Sequence, residues 1–194
     1  MIEAVQTFDE QLLLLINGWH APFVDEIMWV VSSKWINLPL ALVLFLFLKK
    51  TRSQQQALLL LGFTVLIVVC TDWVSSQLFK DFFQRLRPSH EILLGSKLHY
   101  YFIGPFDPYK GGQYGFVSSH AANLASVIAF LYPILISYRR SFWAFVAYAS
   151  LVCYSRMYLG VHYPTDILCG ALLGVLLAFT ARKFLFQKFF LASN

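Results

Sequence analysis

The sequence predicts an all-α fold: one integral-membrane helical bundle over residues 1–194, with five transmembrane spans and an N-terminal interfacial helix, or six spans if that helix crosses. Three observations carry this reading. Hydrophobic residues make up 58% of the chain and charged residues only 13%, about half the charged share of ordinary soluble domains. Mean hydropathy is +0.62. Apolar stretches close to the roughly 20 residues that a helix needs to cross the hydrocarbon core recur along the chain.

The first apolar run, Leu12 to Ile16, is bracketed by Asp9, Glu10 and Asn17. Residues 8–19 are therefore too short to span, and they lack the basic start and cleavage site of a removable signal, so they read as a helix in the interface plane. Span one covers 23–48. Ser32-Ser33-Lys34 and Pro39 interrupt it and predict a kink, with Lys34 snorkelling or paired to Asp72 at similar depth. Span two covers 57–79. Residues 81–117 follow, polar and rich in Gly, Pro and Tyr, and a loop of that length in a compact bundle points to function. Spans three, four and five cover 121–137, 142–158 and 167–186.

Basic residues set the orientation. Lys49, Lys50 and Arg52 follow span one, Arg139 and Arg140 follow span three, and Arg182, Lys183 and Lys188 close the chain at the end of span five. With five spans all three groups fall on one side, which the positive-inside rule makes the cytoplasm. The net charge of +5 is accounted for by these loops and an anion site, so no nucleic-acid partner is implied. Cys70, Cys153 and Cys169 lie inside apolar stretches and form no C-x-x-C pair, so neither a disulfide framework nor a zinc site is suggested.

Three polar clusters interrupt the apolar chain at its other face. Lys80 and Arg87 bring two cations to the outer end of span two, and Pro88 stops the helix; interface anchors would look the same. Ser118 or Ser119 is a natural N-cap for span three, whose free N–H groups and positive dipole end bind anions, with His120 in the first turn. A plain capping segment beside an interfacial histidine is the alternative. Arg156 ends span four, His162 follows six positions later, and Pro164 is placed as the first residue of span five. Asp166 then lies one turn beyond the histidine, where it can accept from one imidazole nitrogen and orient the other as a nucleophile. The same pair could hold a metal if His120 supplied a third ligand.

Lys80 to Pro88 reads K-x6-R-P, Val117 to His120 is similar to P-S-G-H, and Ser155 to Asp166 reads S-R-x5-H-x3-D. In this order, at the ends of spans two to five, the motifs resemble the signature of the type 2 phosphatidic acid phosphatase superfamily over roughly residues 57–186. Val117 and Ser119 stand where the family has Pro and Gly. The resemblance implies a metal-independent and cofactor-free phosphatase working through a phosphohistidine. It implies that His162 attacks phosphorus, Asp166 orients it, and His120 protonates the leaving oxygen. Lys80, Arg87, Ser118, Ser119 and Arg156 would hold the phosphoryl oxygens.

The implied partners are the bilayer and a membrane lipid phosphate, with no obligate protein partner. The implied place is the bacterial inner membrane, with the site facing the periplasm. Tyr100, Tyr101, Phe102, Tyr109 and Tyr114 in the outer loop suit a lipid head group at that surface. Lipid A phosphate, undecaprenyl diphosphate, phosphatidylglycerol phosphate and phosphatidic acid all fit. The Ser-Ser-His form of the second motif resembles that of Bacteroidetes members acting on lipid A, which puts lipid A first. Two other classes remain open on sequence alone: an enzyme like the vanadate-dependent haloperoxidases, which share the pocket but are soluble, and a non-catalytic lipid-phosphate-binding membrane protein.

Overall fold

A computed structural model describes residues 2–186. The chain is predominantly helical. Helix α1 (Ile2–Gly18) is followed by α2 (Pro22–Ser32), a 3-10 turn (Lys34–Ile36) and α3 (Asn37–Thr51). Helix α4 (Gln54–Trp73) runs through a π-helical turn (Val74–Phe79) into α5 (Lys80–Phe83). A short α6 (Ile92–Gly95) and a hairpin of β1 (Phe102–Gly104) with β2 (Asp107–Pro108) lead to α7 (Ser119–Leu135), α8 (Arg139–Tyr158) and α9 (Pro164–Phe186).

Several expected elements are corrected. Span one is two helices, because the polar Ser33-Lys34 pair falls where α2 ends and a tighter 3-10 turn begins. The expected Lys34–Asp72 pairing falls on a side chain outside those described, and Asp72 itself accepts from Asn123 Nδ2 at 2.9 Å. Span two continues past residue 79 to Phe83, giving 30 helical residues from Gln54, until Gln84 adopts a left-handed conformation (φ 46°) and ends the helix. The 81–117 loop has structure of its own in α6 and the hairpin. Among the described residues, Gln54–Phe83 and Pro164–Phe184 are the two helices both long and apolar enough to cross a bilayer; α7 is apolar but has 17 residues. On α9, Leu168, Leu172 and Leu176 form an exposed stripe at helical spacing, each more than 60% exposed. Such a stripe is costly in water and suits lipid.

Helices α7 and α9 form the centre. A Cβ on Gly170 would lie 2.5 Å from the Ser118 carbonyl oxygen, and one on Gly174 would collide with the Ala122 carbonyl, so glycine lets the two backbones touch. Ser118 N–H also donates to the Asp166 carbonyl (3.0 Å), tying the two helix starts together. An apolar core of Leu44, Leu48, Leu60, Phe130, Leu131 and Leu135 fills the basic-loop end of α3, α4 and α7. At the opposite end α1 and α2 wrap the loops. Asp9, Leu13 and Asn17 form the buried stripe of α1, at positions i, i+4 and i+8. Leu13 packs with Leu94, Leu98 and Tyr163.

Because both motif-bearing helices depend on this glycine contact, Gly174→Leu is expected to cost about 3 kcal/mol or more through overpacking. A lowered thermal transition of the detergent-solubilised protein, with loss of activity, is the expected result. An unchanged transition would show that α7 and α9 can separate freely.

Candidate active site

All eight side chains expected from the sequence converge at the end of the bundle away from the basic loops. The first motif is shaped by the π-helical turn, which carries Lys80 to the start of α5. Lys80 Nζ donates to Ser119 Oγ at 3.2 Å. After the Gln84 turn, residues 85–87 pair with 113–115: Gly115 N–H donates to the Arg85 carbonyl (2.9 Å) and Arg87 N–H to the Gln113 carbonyl (3.0 Å). This ladder turns Arg87 inward, where its Nε donates to the Tyr114 carbonyl (3.1 Å) and its side chain is buried. Gly111, at φ 66°, makes room, since a Cβ there would lie 2.7 Å from Arg87 Nη1. Burial, then repulsion from Arg156, lowers the Arg87 guanidinium to about 10. It remains a cation at neutral pH.

Ser118 is the N-cap of α7 with extended backbone, but its hydroxyl makes no capping bond. This corrects the expected side-chain cap: the helix start keeps its free N–H groups while Ser118 Oγ is buried without a partner among the described residues. Ser119 has negative φ, because Gln84 is the non-glycine residue with positive φ among those described. A Cβ is therefore tolerated at the family's glycine position. Its Oγ accepts from both Lys80 Nζ and Ser75 Oγ (2.9 Å), so the hydroxyl places the lysine and does not cap the helix. Ser119→Gly is expected to keep kcat/KM within about tenfold, equivalent to about 1.4 kcal/mol, in a phosphate-release assay. A loss as large as that of Arg156→Ala would make the hydroxyl a principal phosphate ligand.

The third motif crosses a helix end. Leu159 caps α8, Gly160 takes φ 68°, and Gly160 N–H and Val161 N–H return to the Met157 and Arg156 carbonyls, a left-handed glycine cap. The chain then delivers His162 just before Pro164 opens α9 as expected. His162 is 1% exposed; its Nδ1 lies 3.4 Å from Asp166 Oδ2, which also accepts from Tyr163 N–H at 3.0 Å. Burial, then repulsion from Arg87, Arg156 and Lys80, holds the His162 imidazole well below the ordinary histidine range. It is neutral, as a nucleophile must be. Arg156 Nη1 donates to Ser32 Oγ and Nη2 to Tyr109 OH (3.1 Å), while its Nε is buried with no partner among the described residues. His120 lies within hydrogen-bonding reach of the Ser32 backbone and within Coulomb range of Lys80, Arg87, Arg156 and His162.

The arrangement is an anion trap: three cations, a free helix N-terminus and two buried unpaired donors face a neutral imidazole. Among the described residues no three of His, Cys, Asp and Glu cluster as a metal site would.

Sequence reasoning missed four contributors. Arg85, inside the first motif, donates through Nη1 to Asp166 Oδ1 (2.9 Å) and Thr165 Oγ1 (2.8 Å). Asp9 accepts from Arg85 Nη2 at 2.7 Å. Ser32 joins Arg156 to α2, and Ser75 braces Ser119. Arg85 had one visible signal, a third basic residue between Lys80 and Pro88; Asp9, Ser32 and Ser75 had none beyond being polar in apolar surroundings.

The family model of the PAP2 superfamily matches residues 57–190. A lipid A 4'-phosphatase of Porphyromonas gingivalis is 34% identical over 192 residues, covering 96% of this chain and 77% of that protein. One from Bacteroides thetaiotaomicron is 34% identical over 177 residues, covering 90% and 75%. Among solved structures, the transmembrane PAP2-type phosphatidylglycerolphosphate phosphatase of Bacillus subtilis superposes with a TM-score of 0.67 at 26% identity, over 96% of this chain and 88% of that one.

Proposed function

The chain belongs to the PAP2 superfamily and is a phosphatase acting on lipid phosphates, and from that premise we propose that it removes a phosphate from lipid A through a phosphohistidine at the periplasmic face of the inner membrane. The observation that carries the chemistry is the His162–Asp166 pair aimed into a pocket of three cations. His162 Nε2 attacks phosphorus as the ester P–O bond breaks. Burial, then repulsion from Arg156, lowers the His120 imidazole to about 3; it takes up a proton from solvent once the phosphate anion neutralises the cations around it, and gives that proton to the departing oxygen. Water then attacks the phosphohistidine, His120 takes its proton, and the P–N bond breaks to free phosphate. Lys80, Arg87, Arg156 and the Ser118-Ser119 N–H groups stabilise the equatorial oxygens, since phosphoryl transfer rests on positioning and charge neutralisation.

Lipid A is favoured over undecaprenyl diphosphate, phosphatidylglycerol phosphate and phosphatidic acid because the lipid A 4'-phosphatases above match at 34% over most of the chain. The test is phosphate release by purified protein from a panel of these four lipids in EDTA. Lipid A is expected to be turned over fastest; a clear preference for another lipid would reassign the substrate. No release from any of them would overturn the phosphatase reading.

Five crossings are supported by α2 with α3, α4 with α5, α7, α8 and α9 running between the basic-loop end and the site end. Helix α1 contacts the site end twice, at Asp9 and, about 12 Å along its axis, at Asn17, whose Nδ2 donates to the His99 and Tyr158 carbonyls. It lies along the surface. In a background lacking the native cysteines, a cysteine near Tyr109 is expected to react with an impermeant maleimide in intact spheroplasts and one near Arg139 is not. Reversed labelling would invert the topology.

A further inference from the structure

We propose that Asp9, on the N-terminal helix, and Arg85 form a positioning relay that holds Asp166, and through it the attacking ring of His162, in the reactive geometry. The relay rests on the phosphohistidine reading and adds to it a residue outside the 57–190 segment that the family model covers. Its geometry is continuous. Asp9 is fully buried and accepts from Arg85 Nη2 (2.7 Å), from Thr165 N–H (3.0 Å) and from Thr165 Oγ1. Arg85 Nη1 reaches across to Asp166 Oδ1 (2.9 Å), and the guanidinium lies over the Tyr163 ring at 4.1 Å. Asp166 is also fully buried, and its other oxygen faces His162 Nδ1 and Tyr163 N–H. Every residue from His162 to Asp166 except Pro164 is thus gripped by Asp9, Arg85 or Asp166.

Two buried carboxylates this close repel strongly unless a cation stands between them. Arg85 is that cation, and its planar fork matches two acceptors on different elements as a lysine cannot. With Oδ1 occupied by Arg85, Asp166 has Oδ2 left to accept from His162 Nδ1–H, which leaves Nε2 unprotonated and aimed at phosphorus. Asp9 keeps Arg85 extended and pins Thr165 in the first turn of α9. The α1 stripe of Asp9, Leu13 and Asn17 therefore makes the N-terminal helix part of the catalytic end of the bundle.

The test uses the full-length protein in detergent, with Asp9→Asn, Asp166→Asn, the double variant, and Asn17→Ala as a control that loosens α1 at its contacts to His99 and Tyr158, away from the relay. Asp9→Asn is expected to lower kcat about 100-fold, as misplacement of a reacting group does, with KM and the inhibition constant of inorganic phosphate within about threefold. The double variant is expected to be no slower than Asp166→Asn alone, since the two act through one ring. Asn17→Ala is expected to lower the thermal transition while retaining kcat. An unchanged kcat in Asp9→Asn, losses that multiply in the double variant, or an Asn17→Ala loss matching that of Asp9→Asn would each overturn the relay. If the wild type releases phosphate from no lipid, the function reading fails separately, and the relay is read from the 15N shifts of His162: an Nδ1–H tautomer in the wild type, lost in Asp9→Asn, supports it, and an unchanged ring overturns it.

Discussion

His162→Ala is expected to abolish phosphate release, a loss on the order of 10^5-fold or more, comparable to removing a nucleophile from a catalytic unit. In the proposed mechanism this imidazole forms the bond to phosphorus, and alanine leaves no ring paired with Asp166 to take that part. Asp166→Asn is expected to cost about 10^3- to 10^4-fold, because an amide can donate to Nδ1 and favour the wrong tautomer. Inorganic phosphate release and trapping of 32P on the protein from a labelled lipid phosphate check both. Persistent labelling of His162→Ala would place the covalent step elsewhere; turnover without any label in the wild type would mean direct attack by water.

The parts legible in the sequence were those encoded locally. The three motifs carry their own placement: Pro164 sets the start of α9, Asp166 follows within its first turn, and Gly160 allows the turn that presents His162. The long apolar run from residue 57 onward announced a spanning helix, and the break between α2 and α3 was visible as Ser32-Ser33-Lys34. The end of α4 was harder to place. Nothing in Val74–Phe79 marks a π-helical turn, because the extra residue per turn is stabilised by Ser75 and Ser76 hydroxyls returning to the Asp72 carbonyl and by Ser75 meeting Ser119. A hydroxyl at a helix start reads as a cap, whereas Ser118 Oγ is buried with no partner among the described residues and Ser119 Oγ holds Lys80.

The residues missed outright share one property: their partners are far away in the chain. Asp9 meets Arg85 across 76 positions and Thr165 across 156, and Ser32 meets Arg156 across 124. In one sequence a buried carboxylate and an exposed one look alike, and Asp9 beside Glu10 reads only as a polar bracket to the short apolar run Leu12 to Ile16. In the folded protein the packing of Leu13 against Leu94, Leu98 and Tyr163, with the hydrogen bonds of Asp9 and Asn17, turns the Asp9 face inward. The cost of burying Asp9 is offset by three hydrogen bonds, two of them to Thr165, with the third charge-assisted and worth about 1.5–3 kcal/mol. A helix that looked like a membrane-surface anchor is held instead by polar contacts to the site.

His120→Ala is expected to show a loss that depends on the leaving group. A general acid contributes about 10^2- to 10^4-fold when the departing oxygen is a poor leaving group and little when it is a good one. An alkyl or sugar phosphate should therefore lose on the order of 10^3-fold in kcat/KM, while a nitrophenyl phosphate, whose phenolate leaves without a proton, should lose no more than about tenfold. His120 sits in the first turn of α7, with the Ser32 backbone beside its ring. Among the described residues no hydrogen bond joins it to a carboxylate, and that difference in partners supports the separate steps proposed for the two histidines. Because His162 and its carboxylate are untouched in this variant, the phosphoenzyme should still form from the nitrophenyl ester. Its breakdown should then become slow, since the water that attacks it loses its base. A burst of nitrophenol equal to the enzyme concentration, followed by a slow steady state, is the expected trace. Equal losses for both leaving groups, without a burst, would remove His120 from proton transfer and leave it as a further hydrogen-bond donor to the phosphate.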